Sequence, residues 1–283
     1  MTAQQALERR TIKEIPLKRA KALYGIVKGV FGFKPVAGDW FTVENVKLRK
    51  DKTVAMVGMS LLPADALYRL TQDMTLPSFW QRLARTFSTC AAATPLCRAA
   101  CLNTAGKGRL DSTQRSRGVR TMVWAAFPSA AYTLTVHEIR RFVRKYGTDG
   151  VAIRLNILSD VMWERVLPPE FWQEFAAVQF YDYTKHTPSA RAERPANYDL
   201  TYSASERWSP VDIRTAAESH RVAVVIGIHP EHEKPAEFLG FPLIDGDKTD
   251  ARWLEPTGIV GLGWKGDAKA QGVGWNEFVK PVG

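Results

Sequence analysis

From residue 53 onward the chain alternates short runs rich in Val, Ile and aromatic residues with longer polar or amphipathic stretches. Short apolar runs of this kind suit strands, and the stretches between them have the length of helices. Strands are predicted at "TVAMVGMSL" (53–61), "TMVWAAF" (121–127), "VAIRLNI" (151–157) and "AVQFYDYT" (177–184). Further strands are predicted at "YDLTYSA" (198–204), "VAVVIGI" (222–228), "FPLIDGD" (241–247) and "GIVGLGW" (258–264). Among the intervening segments, "LTVHEIRRFVRKYG" reads as a helix capped by Thr133 or Thr135 and stopped at Gly147. "PPEFWQEFA" begins with prolines suited to a first helical turn, and "SPVDIRTAAESH" offers Ser209 as N-cap with Pro210 behind it. The pattern predicts an α/β fold: a (β/α) barrel, complete or partly open, of six to eight mostly parallel strands.

The first fifty residues have a different character, with eleven Lys or Arg against four Asp or Glu. "IKEIPLKRAKALYGIVKGVFGF" places Leu23, Val27 and Val30 at helical spacing among lysines. Residues 1–52 are read as a basic N-terminal extension that packs on the barrel. Residues 53–283 are read as one barrel domain with an insertion at 62–120. The whole chain of 283 residues has a formal net charge of +10 and 45% hydrophobic residues. That composition supports a large core and disfavours intrinsic disorder. The charge favours an anionic partner, for which DNA, RNA or a nucleotide comes first. No apolar run is long enough for a membrane span, and the first residues lack the apolar core of a secretory signal, so a cytoplasmic protein without a membrane partner is expected.

In (β/α) barrels the chemistry is carried at the C-terminal ends of the strands. Polar residues recur there: Asn156, Ser159, Asp160 and Glu164 in "NILSDVMWE", then Asp182, Tyr183, Thr184, Lys185 and His186 in "YDYTKH". Ser203, Ser205 and Glu206 follow in "TYSASER", His229, Glu231 and His232 in "HPEHE", Asp245 and Asp247 in "DGDKTD", and Lys265 in "WKGD". Loops are polar in any protein, so convergence on one rim matters more than any single residue. Asn156, Asp182, Ser203, Ser205, His229, Asp245 and Asp247 are the substrate-binding candidates, and Asp160 and Lys185 the catalytic ones, through proton transfer.

All three cysteines, Cys90, Cys97 and Cys101, lie in "STCAAATPLCRAACLNTAGKGR", after the first strand. Their spacing is C-x6-C-x3-C, and an odd, local set argues against a disulfide framework. Thiolates suit zinc or an iron–sulfur cluster. A zinc site would need a fourth ligand such as His229 or His232, whereas three cysteines match a [4Fe–4S] cluster with one iron left open. Buried packing without a metal remains a third reading, since "AAATPLCRAAC" is small and apolar.

Three cysteines in the loop after the first strand resemble the radical S-adenosylmethionine enzymes. That resemblance implies a [4Fe–4S] cluster whose open iron binds S-adenosylmethionine. A second resemblance spans most of the chain from about residue 88. "CRAACLNTAGKGR", "RLNILSDVMWE", "FYDYTK", "NYDLTYSASE", "LIDGDKTDARWLEP" and "IVGLGWKG" are similar to the mycobacteriophage gene-product-88-like proteins, a bacteriophage family. It implies a phage origin and action in the cytoplasm of an infected bacterium.

"TAGKGRLDSTQRSRGVR" (104–120) holds five Lys or Arg and one acid. Lys107, Arg109, Arg115 and Arg117 are therefore candidates for phosphate binding, although no Walker motif is present. Taken together, the sequence predicts an iron–sulfur enzyme acting on nucleic acid or nucleotides. The alternatives are a nucleic-acid-binding protein with a structural cluster or zinc, and a host-takeover factor that binds a bacterial protein.

Overall fold

The computed structural model describes residues 3–33, 40–42 and 54–282. The expected boundary between extension and barrel, at 52/53, lies outside the described residues, as does the first residue of the strand expected at 53–61. Eight strands form one sheet: β1 (Ala55–Gly58), β2 (Val151–Arg154), β3 (Gln179–Thr184), β4 (Tyr198–Ser203), β5 (Arg221–Ile226), β6 (Glu237–Phe238), β7 (Phe241–Asp245) and β8 (Gly258–Gly263). Their spatial order is β1-β2-β3-β4-β5-β8-β7-β6. Every neighbouring pair is parallel except the hairpin β6–β7. The sheet is open, with β1 and β6 at its two ends. Seven of the eight expected strands are present and mostly parallel, as expected, but a closed barrel is not.

Ten helices are described: α1 (Ala3–Glu8), α2 (Leu17–Val30), α3 (Ala66–Thr71), α4 (Ser78–Thr86), α5 (Pro95–Ala99), α6 (Asp111–Ala126), α7 (Pro128–Tyr146), α8 (Trp163–Val166), α9 (Pro169–Glu174) and α10 (Pro210–Ala217). The segment 121–127, expected as a strand, instead completes α6. Met122, Val123 and Trp124 are fully buried there. A short apolar run has the same appearance in a buried helix as in a buried strand, so its periodicity does not separate the two. The chain between β1 and β2 is thus a long helical excursion that holds α3 to α7.

The helix expected after Thr133 or Thr135 begins earlier, with Pro128 in the first turn of α7. Both threonines lie inside it, and their hydroxyls donate to the carbonyls of Ser129 and Ala131. Each hydroxyl also accepts from the N-terminal part of the chain: Thr133 from the Ile15 amide at 2.9 Å, Thr135 from Trp40 Nε1 at 2.8 Å. Gly147 ends the helix with φ +76°, a conformation that suits glycine. Ser209 caps α10 as expected, in a reciprocal capping box with Asp212.

Alternation along the strands separates two faces. Val57, Ile153 and Phe180 point to the main core, shared with α6 and α7. Met56, Ala152 and Tyr181 point the other way and pack under Ala251 and Trp253, from the loop after β7. A buried ion pair, Arg154 Nη1 to Asp250 at 2.7 Å, fastens that loop to β2. The same face, further toward the strand ends, is the floor of a cavity.

Candidate functional site

The parallel strands place all their C-terminal ends along one edge, and a cavity of about 230 Å³ opens there. Its floor is built by side chains that alternation turns the same way: Arg154, Tyr183, Ser203, Val225 and Leu262. Its opposite wall is the cysteine segment, and Cys90, Cys97 and Cys101 all line it. Sequence separation did not require that result. It follows from three separate anchors.

Cys90 is held by a short parallel bridge to Asp160, in which the Asp160 amide donates to the Thr89 carbonyl at 2.8 Å. Cys97 lies in α5, whose N-cap is Thr94, with Pro95 in its first turn. Thr94 Oγ1 accepts from the Cys97 amide at 3.2 Å and donates to Glu206 at 2.7 Å. Glu206 also accepts from the Leu96 amide, so the loop after β4 fixes the start of α5. Cys101 opens the next turn, where its carbonyl accepts from Thr104. Beneath it Ala100 packs with Ala268 and Val279.

Burial pushes all three thiols up, Cys90 to about 12 with help from the Asp160 charge. The Lys185 cation opposes burial at Cys97, and the Asn103 amide, Arg117, Arg69 and Lys185 oppose it at Cys101. Cys97 and Cys101 thus sit in a more cation-rich part of the wall than Cys90. Among the described residues, no three His, Cys, Asp or Glu side chains gather closely enough to hold a single metal ion.

Of the catalytic candidates, both line the cavity. Asp160 uses its two oxygens on Thr184 Oγ1 and the Lys185 amide, each at 2.8 Å. It braces the turn from which Lys185 projects. Lys185 Nζ donates to Ser203 Oγ at 2.9 Å and to the carbonyls of Ser203 and Ala204.

The substrate-binding candidates divide. Asn156 and Ser203 line the cavity, but Asp182, Ser205, His229, Asp245 and Asp247 stand outside its wall. Asn156 also organises the loop after β2, with its Oδ1 accepting from Ser159, Val161 and Trp163. Asp182 lies beneath it, accepting from the Asn156 amide and from Tyr198 Oη at 2.6 Å. Burial pushes the Asp182 carboxyl up to about 7 against those donors. Asp245 and Asp247 share Lys234, and Asp247 holds Lys265 at the cavity's edge at 2.5 Å. His229 packs edge-on against Trp264 and at a tilt against His232, in a half-exposed loop. Ser205 accepts from the Arg207 amide.

The phosphate-binding candidates lie beside the cavity rather than in it. Lys107 and Arg109 occupy a short turn, and Arg109 pairs with Asp267 at 2.8 Å. Arg115 pairs with Asp111, and Arg117 donates to both oxygens of Asn103. Burial, with Arg120 nearby, holds Arg117 down to about 10. Two groups of the cavity wall escape the sequence reading. Arg154 is hidden inside a strand whose alternation could have exposed it, and Phe278, from the C-terminal segment, carries no signal at all, whereas Tyr183 belongs to the "YDYTKH" rim segment.

Comparison with known proteins gives one match. The family model described as gene product 88 matches residues 41–277, a stretch that includes all three cysteines and every strand. No curated protein and no solved structure matches the chain. The chain therefore belongs to the gene product 88 family, the bacteriophage family that its ordered motifs resemble.

Proposed function

We propose that this protein is a phage-encoded iron–sulfur enzyme acting on nucleic acid or nucleotides in the infected bacterium. Cys90, Cys97 and Cys101 would hold a [4Fe–4S] cluster. The observation that carries the reading is the lining of one strand-end cavity by all three thiols together with Lys185, Asn156 and Ser203. Thiolates distributed around a cavity suit a cluster, whose irons take one sulfur ligand each, better than a single zinc ion. Three soft sulfur ligands on one cavity wall support this reading by their chemistry.

When bound, the cluster would supply one-electron chemistry and one iron without a protein ligand, the feature shared with radical S-adenosylmethionine enzymes. The chain's own residues do the rest. Thr94 and Glu206 fix the Cys97 helix, Asp160 fixes the Lys185 turn, and Ala93, Ala100, Leu102, Val225 and Phe278 keep the cavity apolar. Anaerobically purified protein is expected to be brown and to bleach with dithionite. S-adenosylmethionine cleavage by the reduced protein would support the enzyme. A colourless, iron-free preparation would contradict the reading.

A nucleic-acid-binding role without catalysis, with the cluster or a zinc purely structural, is favoured by a different observation. Helix α2 packs along α7, and its exposed Lys18 and Lys21 join a surface with Arg141 and Arg144. His137 between them is held below its ordinary value by burial and by Lys21, Arg144 and Arg141. Such a face attracts phosphates. Steeply salt-dependent DNA or RNA binding without turnover would favour this second reading.

A further inference from the structure

Most buried or half-buried cations near the strand ends have a carboxylate. Arg154 has Asp250, Arg191 has Glu164, Lys234 has Asp245 and Asp247, and Lys265 has Asp247. Lys185 differs. Its ammonium meets the Ser203 hydroxyl, two backbone carbonyls, and the Phe278 ring at 5.0 Å, all of them neutral. Among the described residues no carboxylate lies within ion-pair distance of it. Asp160, the nearest candidate by sequence, spends both oxygens on Thr184 and on the Lys185 backbone.

A half-buried cation held only by neutral acceptors leaves its charge uncompensated, which is costly in an apolar setting until an anion arrives. Here the setting is apolar: Ala93, Ala100, Leu102, Val225, Leu262 and Phe278 form much of the wall. The field is reinforced by Lys280, a fully buried lysine whose Nζ donates to the Trp275 carbonyl and which feels the Lys185 charge. Glu206 and Glu277 offset part of that field, but neither lies within ion-pair distance of Lys185.

We infer that Lys185 is the anchor for an anionic ligand group, a carboxylate or a phosphate monoester, carried on a flat or apolar body that lies against Phe278. This deepens the reading of the cavity as the substrate site and rests on that reading. It does not depend on the cluster. It also gives Lys185 a binding role in place of proton transfer.

The test uses the full chain and two pairs of probes, phenyl phosphate against phenol and benzoate against benzamide, measured by isothermal titration calorimetry. Binding of phenyl phosphate alone identifies a phosphate site, and binding of benzoate alone a carboxylate site. In either case the uncharged partner is expected to bind at least about tenfold more weakly, as expected when a buried charge pair is lost. Lys185→Met is expected to remove that preference and Lys185→Arg to keep most of it, with circular dichroism confirming that both are folded. Equal binding of charged and uncharged probes, no binding of either anion, or an unchanged preference in Lys185→Met would overturn the inference. Iron and sulfide content, read on the same samples, reports on the cluster separately.

Discussion

Thr94 Oγ1 donates to the Glu206 carboxylate at 2.7 Å, across 112 positions of sequence. This bond ties the N-cap of the helix carrying Cys97 to the loop after β4. Glu206→Ala is expected to destabilise the protein by about 1–3 kcal/mol, because it strips a charged acceptor from two donors. Thr94→Ala should cost about 1 kcal/mol as a lost cap. The two effects should fall short of additivity in a double-mutant cycle read by urea unfolding. Additive losses would mean that the two side chains act independently.

The loop after β7 is held over β1–β3 by Arg154 and Asp250, both nearly inaccessible to solvent. Tyr181 and Tyr183 hydroxyls also reach Asp250, at 3.3 and 3.4 Å. Asp250→Ala should therefore cost about 3–5 kcal/mol, since it leaves a buried guanidinium unpaired. Replacing both partners together, Arg154→Met with Asp250→Leu, should cost less than the single change. Chemical denaturation of the three variants checks the order.

Asp182 gives the protein a pH signature. Its carboxyl is raised from 3.8 to about 7 in the folded state by burial. The folded state therefore holds the proton more tightly than the unfolded chain does. Stability from this group is fully present below about pH 4 and is lost as pH rises toward 7, by roughly 4 kcal/mol at most. Melting temperatures of wild type and Asp182→Asn, compared from pH 4 to 8, should differ in slope within that window. Parallel slopes would remove Asp182 as the source.

The three thiols should not react alike in metal-free protein. Cys90 is 7% exposed and pushed up to about 12, whereas Lys185 works against burial at Cys97. The thiolate is the reactive form, so iodoacetamide should label Cys97 before Cys90, as read by mass spectrometry. Lys185→Met should slow labelling of Cys97. Equal rates at both positions would contradict the electrostatic ordering.

The sequence reveals the strands because parallel strands buried on both faces are written as continuous apolar runs. It misplaces 121–127 because a buried helix segment such as Met122–Trp124 is written the same way. Whether the sheet closes depends on long-range pairing of its ends, which no local pattern records. The rim was legible in kind but not residue by residue. Cys90, Cys97, Cys101, Asn156, Asp160, Lys185 and Ser203 meet at one cavity, while Asp182 falls on the opposite face by the two-residue period of β3. Asp245 and Asp247 are absorbed by lysines 11 to 18 positions away, a pairing that sequence order does not announce.

The proposed multi-iron cluster would be held by the three cysteines at the strand-end cavity. Anaerobic iron and acid-labile sulfide analysis of the full chain tests it most directly, with Cys97→Ala measured alongside. About four irons and four sulfides per chain are expected in wild type after reconstitution, and a large loss of both in the variant. Iron-free wild-type protein, or iron retained undiminished in Cys97→Ala, would contradict the claim.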